Sequence, residues 1–206
     1  MKKVLVIIGI VILVAGAYFV LKNTLAPKNI TNYPSRGTNI IAFGDSLIAG
    51  VGSTEGSDFV SLLSRRLGQP IQNLGKSGDT TITALTRLNE VLANDPKIVL
   101  ILLGGNDYLG KIDKTVTFQN LGMMIEAIQN DGAIVVVLGV RGGLLKDNYE
   151  SDYKELAQKY GAAYVSNVLA NLIGRSDLMS DTIHPNDNGY KIIADKVYPV
   201  LVKLID

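Results

Sequence analysis

The chain has 206 residues, 20 Lys and Arg against 19 Asp and Glu, one histidine and no cysteine. The absent cysteines exclude disulfides, thiol catalysis and cysteine-ligated metals, and a single histidine makes a zinc site uncommon chemistry. Lys2, Lys3, Lys22, Lys28 and Arg36 all precede the first acidic residue, Asp45, so the rest of the chain carries 15 basic against 19 acidic residues. A mildly acidic domain lacks the basic face that nucleic acid requires.

Behind Lys2-Lys3, residues 4–21 are uncharged and apolar. Eighteen such residues stand near the lower limit for a helix that spans a bilayer. Ala15-Gly16-Ala17 offers a cleavage site, which would make the segment a signal peptide and the protein secreted. Tyr18-Phe19-Val20-Leu21 keeps the run apolar past that point, and its aromatics suit a membrane interface. A soluble core helix would show a polar face, and this run has none. The pattern favours a retained N-terminal anchor over residues 1–21, with Lys2 and Lys3 on the cytoplasmic side and the domain outside. Residues 22–37 hold Asn, Thr, Pro, Ser and Gly without apolar periodicity, and read as a linker. Residues 38–206 then form one domain.

From residue 38 onward, short β-rich runs alternate with helical patterns. Strands are expected near 39–43, 71–74, 98–103, 133–138 and 162–165. The third and fourth are apolar throughout, as in central strands buried on both faces of a parallel sheet. Helices are expected near 58–67, 82–93, 115–130, 149–160 and 188–205. In the second, Ile82, Leu85, Leu88 and Leu92 form an apolar stripe; in the last, Ile192, Ile193, Val197 and Leu201 do, and Pro199 is a candidate break. The alternation argues for a three-layer α/β/α sandwich with right-handed crossovers. In such a sheet, sites form beyond the carboxyl ends of the strands.

Four polar clusters fall there. Gly44-Asp45-Ser46-Leu47 follows the first strand, and Lys76-Ser77-Gly78-Asp79-Thr80 the second. Gly104-Gly105-Asn106-Asp107 follows the third, and Asp181-Thr182-Ile183-His184-Pro185-Asn186 precedes the last helix. A serine hydroxyl needs a base to become a nucleophile, and His184 is the only imidazole in the chain. Asp181, three residues away, can fix its tautomer. Asn106 offers an amide, and Gly78 a backbone N–H, to an oxyanion. The bland readings are a helix cap at Asp45-Ser46 and a surface turn at Asp181–Asn186. No Gly-x-Ser-x-Gly elbow occurs, which disfavours an α/β-hydrolase. Gly50, Gly52 and Gly56 miss the dinucleotide fingerprint by one residue.

Phe43–Leu47, Ser77–Thr80, Gly104–Asp107 and Asp181–Asn186 resemble the four blocks of the SGNH, or GDSL, hydrolases, in the family's order and across nearly the whole domain. The Ser-Gly-Asp-Thr form is similar to the bacterial thioesterase I/lysophospholipase and arylesterase branch. The resemblance implies a flavodoxin-like parallel sheet of order 2-1-3-4-5, no cofactor, and a serine hydrolase acting on esters or thioesters of lipid-like or small acyl groups. It implies Ser46, Asp181 and His184 as the catalytic triad, with Ser46 N–H, Gly78 N–H and the Asn106 side chain as oxyanion donors. Gly75 is the alternative to Gly78. Residues 140–145 match no substrate-loop pattern. A catalytically silent member that binds glycan or lipid is the competing reading.

Overall fold

A computed structural model of the chain describes residues 29–141 and 149–205. The anchor expected over residues 1–21 lies outside them. Among the described residues, no helix is long and apolar enough to cross a membrane.

Five strands build one parallel sheet: β1 (Asn39–Gly44), β2 (Ile71–Gly75), β3 (Pro96–Leu102), β4 (Ile134–Leu138) and β5 (Ala163–Val165). Their order is β2-β1-β3-β4-β5, the order the family resemblance implies. Ile40, Ala42 and Phe43 of β1 pair with Ile98, Leu100 and Ile101 of β3, and Ile98 and Ile101 pair with Ile134 and Val137 of β4. Every residue of β4 is buried, as is β3 from Ile98 to Leu102. These runs have no polar face because helices cover both sides of the sheet.

Eight helices occur among the described residues. Helix α1 is Ser46–Ala49, α2 Phe59–Leu67, α3 Thr81–Thr86 and α4 Asn89–Leu92. Helix α5 is Gly105–Leu109, α6 Lys114–Asn130, α7 Tyr149–Tyr160 and α8 Asp187–Leu201. Helices α2 and α8 pack together on one face of the sheet, and α3, α6 and α7 on the other. Asp58 and Asp113 cap α2 and α6 by accepting the Ser61 and Thr115 N–H groups, which lack helical acceptors.

Three details differ from the sequence reading. The helix expected over 82–93 is two short helices, broken at Arg87 and Leu88. Its buried positions are Thr81, Ala84, Leu88 and Val91, while Ile82 is exposed. Pro199 does not end the last helix, which runs two residues further, to Leu201. Residues 29–37, read as linker, are fastened to the domain. Thr31 and Asn32 donate to carbonyls of Tyr160, Gln129 and Ala133, and Ser35 donates to Gly132. Ile30 and Tyr33 pack against the core.

Candidate active site

β1 ends in Gly44, and the chain turns at once into α1. Asp45 is the N-cap, its carboxylate accepting the Leu47 N–H at 2.9 Å. The capping reading of Asp45-Ser46 therefore holds, and it puts Ser46 at the first helical position. There its N–H has no intrahelical acceptor. Ser46 is largely buried, with its hydroxyl facing the 181–184 loop.

That loop is the tip of a small hairpin. Met179 and Pro185 form an antiparallel bridge, and the Ser180 N–H donates to the His184 carbonyl at 2.9 Å. Asn186 then caps α8 by accepting the Asn188 and Gly189 N–H groups. His184 is thus held between a bridge and a helix start. The 50–58 loop locks onto the same hairpin. Thr54 donates its N–H and hydroxyl to Asp187 at 2.7 Å, and the Tyr190 hydroxyl donates to the Val51 carbonyl at 2.7 Å. Burial pushes the Tyr190 phenol up, so it stays a donor. A side chain at Gly52, whose φ is +96°, would strike Ser180 and Pro185. Only glycine lets the loop after Ser46 lie this close to the loop bearing His184.

The three residues meet in one line. His184 Nε2 stands 3.0 Å from Ser46 Oγ, and His184 Nδ1 stands 2.7 Å from Asp181 Oδ2. Asp181 Oδ1 accepts the Ile183 and His184 N–H groups at 2.8 and 2.7 Å. The hydrogen bond from the His184 ring, then that from Ile183 N–H, holds the Asp181 carboxyl down at about 2. An ionised carboxylate only accepts, so Nδ1 carries the ring proton. In the neutral ring Nε2 is then an acceptor, and the Ser46 hydroxyl donates to it.

Behind Ser46 the site is acidic and buried. Asp45 is 3% exposed, and burial pushes its carboxyl up to about 7, against the opposing pull of Leu47 N–H and His184. Asp79 and Asp107 are also buried, and each ties two chain segments together. Asp107 accepts the Thr81 N–H at 2.9 Å and bonds the Thr81 and Thr117 hydroxyls. Asp79 binds Arg87 and Thr83, and its backbone carbonyl accepts Asn106 Nδ2 at 2.8 Å. That bond uses one amide proton of Asn106 and leaves the other free to point elsewhere.

Gly104 has a φ of 115°, and a Cβ there would collide with the Tyr153 hydroxyl, which donates to the Leu103 carbonyl at 2.6 Å. Gly104 therefore lets the chain bend over Tyr153 and deliver Asn106 on α5. The Gly75 N–H is taken by the Asn73 side chain at 2.9 Å. The Gly78 N–H meets no acceptor among the described residues. Gly78 is exposed and is not among the residues that line the cavity described next.

A cavity of about 620 Å³ opens over Ser46, Asn106 and His184. Leu47, Tyr108, Leu109, Val140, Leu169, Ile173 and Ile183 line it, together with Asn167 and Arg141. Tyr108, Leu109 and Ile183 stay exposed, giving an apolar mouth. Lys196 pins the wall through hydrogen bonds to the Val168 and Ala170 carbonyls at 2.9 and 2.8 Å. Of the lining residues, Leu47 and Ile183 lie in blocks read from the sequence and Val140 and Arg141 in the segment that matched no substrate-loop pattern; Tyr108, Leu109, Asn167, Leu169 and Ile173 were not singled out. The wall residues come from five separate segments and share no period that would mark them as one surface.

Residues 42–192 match the GDSL-like Lipase/Acylhydrolase family. Esterase TesA of Pseudomonas aeruginosa is 33% identical, the match spanning 81% of this chain and 89% of that protein. An arylesterase of Vibrio mimicus is 34% identical, over 80% of this chain and 88% of its own length. The crystal structure of a TesA superposes with a TM-score of 0.75 at 30% identity, covering 82% of this chain and all of that one. The family match takes in the end of the strand that delivers Ser46, the turn that delivers Asn106 and the hairpin that delivers His184, and the chain belongs to the GDSL-like lipase/acylhydrolase family.

Proposed function

We propose that the protein is a serine hydrolase that cleaves carboxylic esters or thioesters through an acyl-enzyme. The reading rests on one observation above all: Ser46, His184 and Asp181 form an unbroken hydrogen-bonded line at the floor of an apolar cavity. Ser46 Oγ attacks the carbonyl carbon while His184 Nε2 takes its proton. Asp181 holds the resulting imidazolium. The developing oxyanion receives Ser46 N–H, the second amide proton of Asn106 and Gly78 N–H. His184 then protonates the departing alcohol or thiol. A water molecule, deprotonated by the same ring, releases the acid. The names of the relatives, an esterase and an arylesterase, favour ester substrates. The volume suits a small ligand, and the apolar lining suits an acyl or aryl group.

Turnover of a short-chain p-nitrophenyl ester tests this reading. Ser46→Ala should lower kcat by at least about 10⁴-fold, as loss of a triad nucleophile does. A fluorophosphonate should add to Ser46 and to no other residue. Labelling that persists in Ser46→Ala, or a wild-type protein that binds the ester without turnover, would reject it. The latter result would favour the catalytically silent alternative.

The same proposal places the domain outside the cytoplasm on a retained N-terminal anchor. The support is sequence alone: Lys2-Lys3 followed by the apolar run 4–21.

A further inference from the structure

The three oxyanion donors assigned above come from three separate chain segments, and one side chain joins those segments from beneath. Arg87 sits at the break between α3 and α4, with its side chain only 10% exposed. Its Nε donates to Asp79 Oδ2 at 2.6 Å. Its Nη2 donates to the Gly44 carbonyl at 3.0 Å and to the Leu74 carbonyl at 2.9 Å. The guanidinium lies over the Phe43 ring, 4.4 Å from its centroid, and Nη1 reaches the exposed Glu90 at 3.1 Å. Gly44 ends β1, two residues before Ser46. Leu74 is the penultimate residue of β2, four residues before Gly78. Asp79 follows Gly78, and its carbonyl holds Asn106.

We infer that Arg87 is a positioning residue for the oxyanion hole: its planar fork fixes the spacing between the Ser46, Gly78 and Asn106 donors. The inference rests on the serine-hydrolase reading. Several features separate Arg87 from a generic ion pair. The acceptors include two main-chain carbonyls at the carboxyl ends of adjacent strands, where sheet pairing is giving out. The fork geometry spans them and the Asp79 carboxylate together, which a lysine ammonium on a flexible stem cannot do. The helix also breaks where Arg87 turns inward, so the local backbone accommodates this contact rather than the helical repeat. Donors must lie close to where the oxyanion will form, and displacements of about 1 Å can cost about 10²-fold.

The test is kcat per titrated active site on a water-soluble p-nitrophenyl ester, well below the unfolding temperature, with Ser46→Ala as the blank. Arg87→Lys keeps the charge and loses the fork; it should lower kcat by about 10–100-fold with KM within about twofold. Asp79→Asn keeps the size and the main-chain carbonyl, and it decides the matter should Arg87→Lys fail to fold. It should lower kcat by about tenfold. Glu90→Gln, which touches only the exposed end of the guanidinium, should leave kcat unchanged. The loss from Arg87→Lys should also shrink at least about threefold in an Asn106→Ala background, because one of the donors it orients is already gone.

A merely structural role would lower the unfolding temperature or the fraction of titratable sites and leave kcat per site intact. That result overturns the inference, and so does an Arg87→Lys loss that is undiminished in Asn106→Ala. Both leave Ser46-dependent turnover standing. A wild-type protein without Ser46-dependent turnover would remove the reading and the inference together.

Discussion

Asp45 carries a conflict that a single residue can expose. Its carboxyl is buried beside Ser46, within the field of Asp79 and Asp107, and is pushed up to about 7. The unfolded chain would release that proton near 4. Between those values the folded state holds the extra proton, so stability from this group is full below about 4 and falls as pH rises to 7. The penalty at neutral pH is on the order of 4 kcal/mol. Asp181 has the opposite sign. Held at about 2, it stabilises the fold above about 4, and that contribution is lost as pH falls toward 2. The two windows do not overlap, so Asp181 contributes equally at pH 5 and pH 8, and the variant reads the Asp45 share of any difference between them. Wild-type protein should have a lower urea midpoint at pH 8 than at pH 5. Asp45→Asn, which keeps an oxygen for the Leu47 N–H, should remove most of that difference and raise the midpoint at pH 8. An unchanged difference in the variant would place the titration elsewhere. Ser46, Asn106, Asp181 and His184 were legible in the sequence because each sits in a short block beside the residues that position it. The burial of Asp45 and the inward turn of Arg87 were not. Both depend on where a side chain points once three segments have met, and no local pattern encodes that.

Elements were legible in proportion to how much of their character is periodic or continuous. β3 and β4 read as central strands because nothing polar interrupts them, and α6, α7 and α8 because their patterns run for three turns or more. Helices α1 and α5, of four and five residues, are too short to show a period, yet they carry Ser46 and Asn106; the first was legible only through its cap at Asp45-Ser46, and the second was missed. Of the stripe assigned to 82–93, Leu88 is buried and Leu85 and Leu92 pack against the core, whereas Ile82 is exposed; the break at Arg87 was not legible because the buried positions Thr81, Ala84, Leu88 and Val91 keep one helical spacing across it. Residues 29–37 read as linker because polar side chains bonded to carbonyls of neighbouring turns leave no hydrophobic signature. They fasten the turns that precede β4 and β5, at the amino edge of the sheet. Each such bond contributes roughly 0.5–1.5 kcal/mol net. With Ile30 and Tyr33 also lost, a chain beginning at Gly37 should melt about 5–10 °C below one beginning at Asn29. The kcat per active site on a soluble ester should not differ, because the site lies at the other edge. Equal melting temperatures would show that the segment is an ornament, and a fall in kcat would show that it reaches the site.

At the scale of the molecule, the parallel sheet gives the domain two unlike ends. Every proposed catalytic group gathers beyond the carboxyl ends of the strands, while the chain enters at the amino edge, where Thr31 and Asn32 are bound. The fastening takes residues 29–37 out of the linker expected over 22–37. Seven residues, 22–28, remain between the proposed anchor and the first described residue, with a reach of about 25 Å when extended. A strand of β3's length adds roughly 23 Å between the two edges. An anchored domain would therefore carry its cavity on the side away from its attachment point, open to water. The anchor should then decide where the enzyme resides and leave its chemistry on soluble esters unchanged. Full-length protein should sediment with membranes, keep its N-terminus and resist extraction by high salt. The chain beginning at Asn29 should be soluble, with kcat/KM for a short-chain p-nitrophenyl ester within about twofold of the full-length value. Mature protein that begins at Tyr18 would replace the anchor with a cleaved signal peptide. A soluble chain with markedly altered kcat/KM would mean that residues 1–28 reach around the domain to the cavity, against the placement of the entry point at the opposite edge.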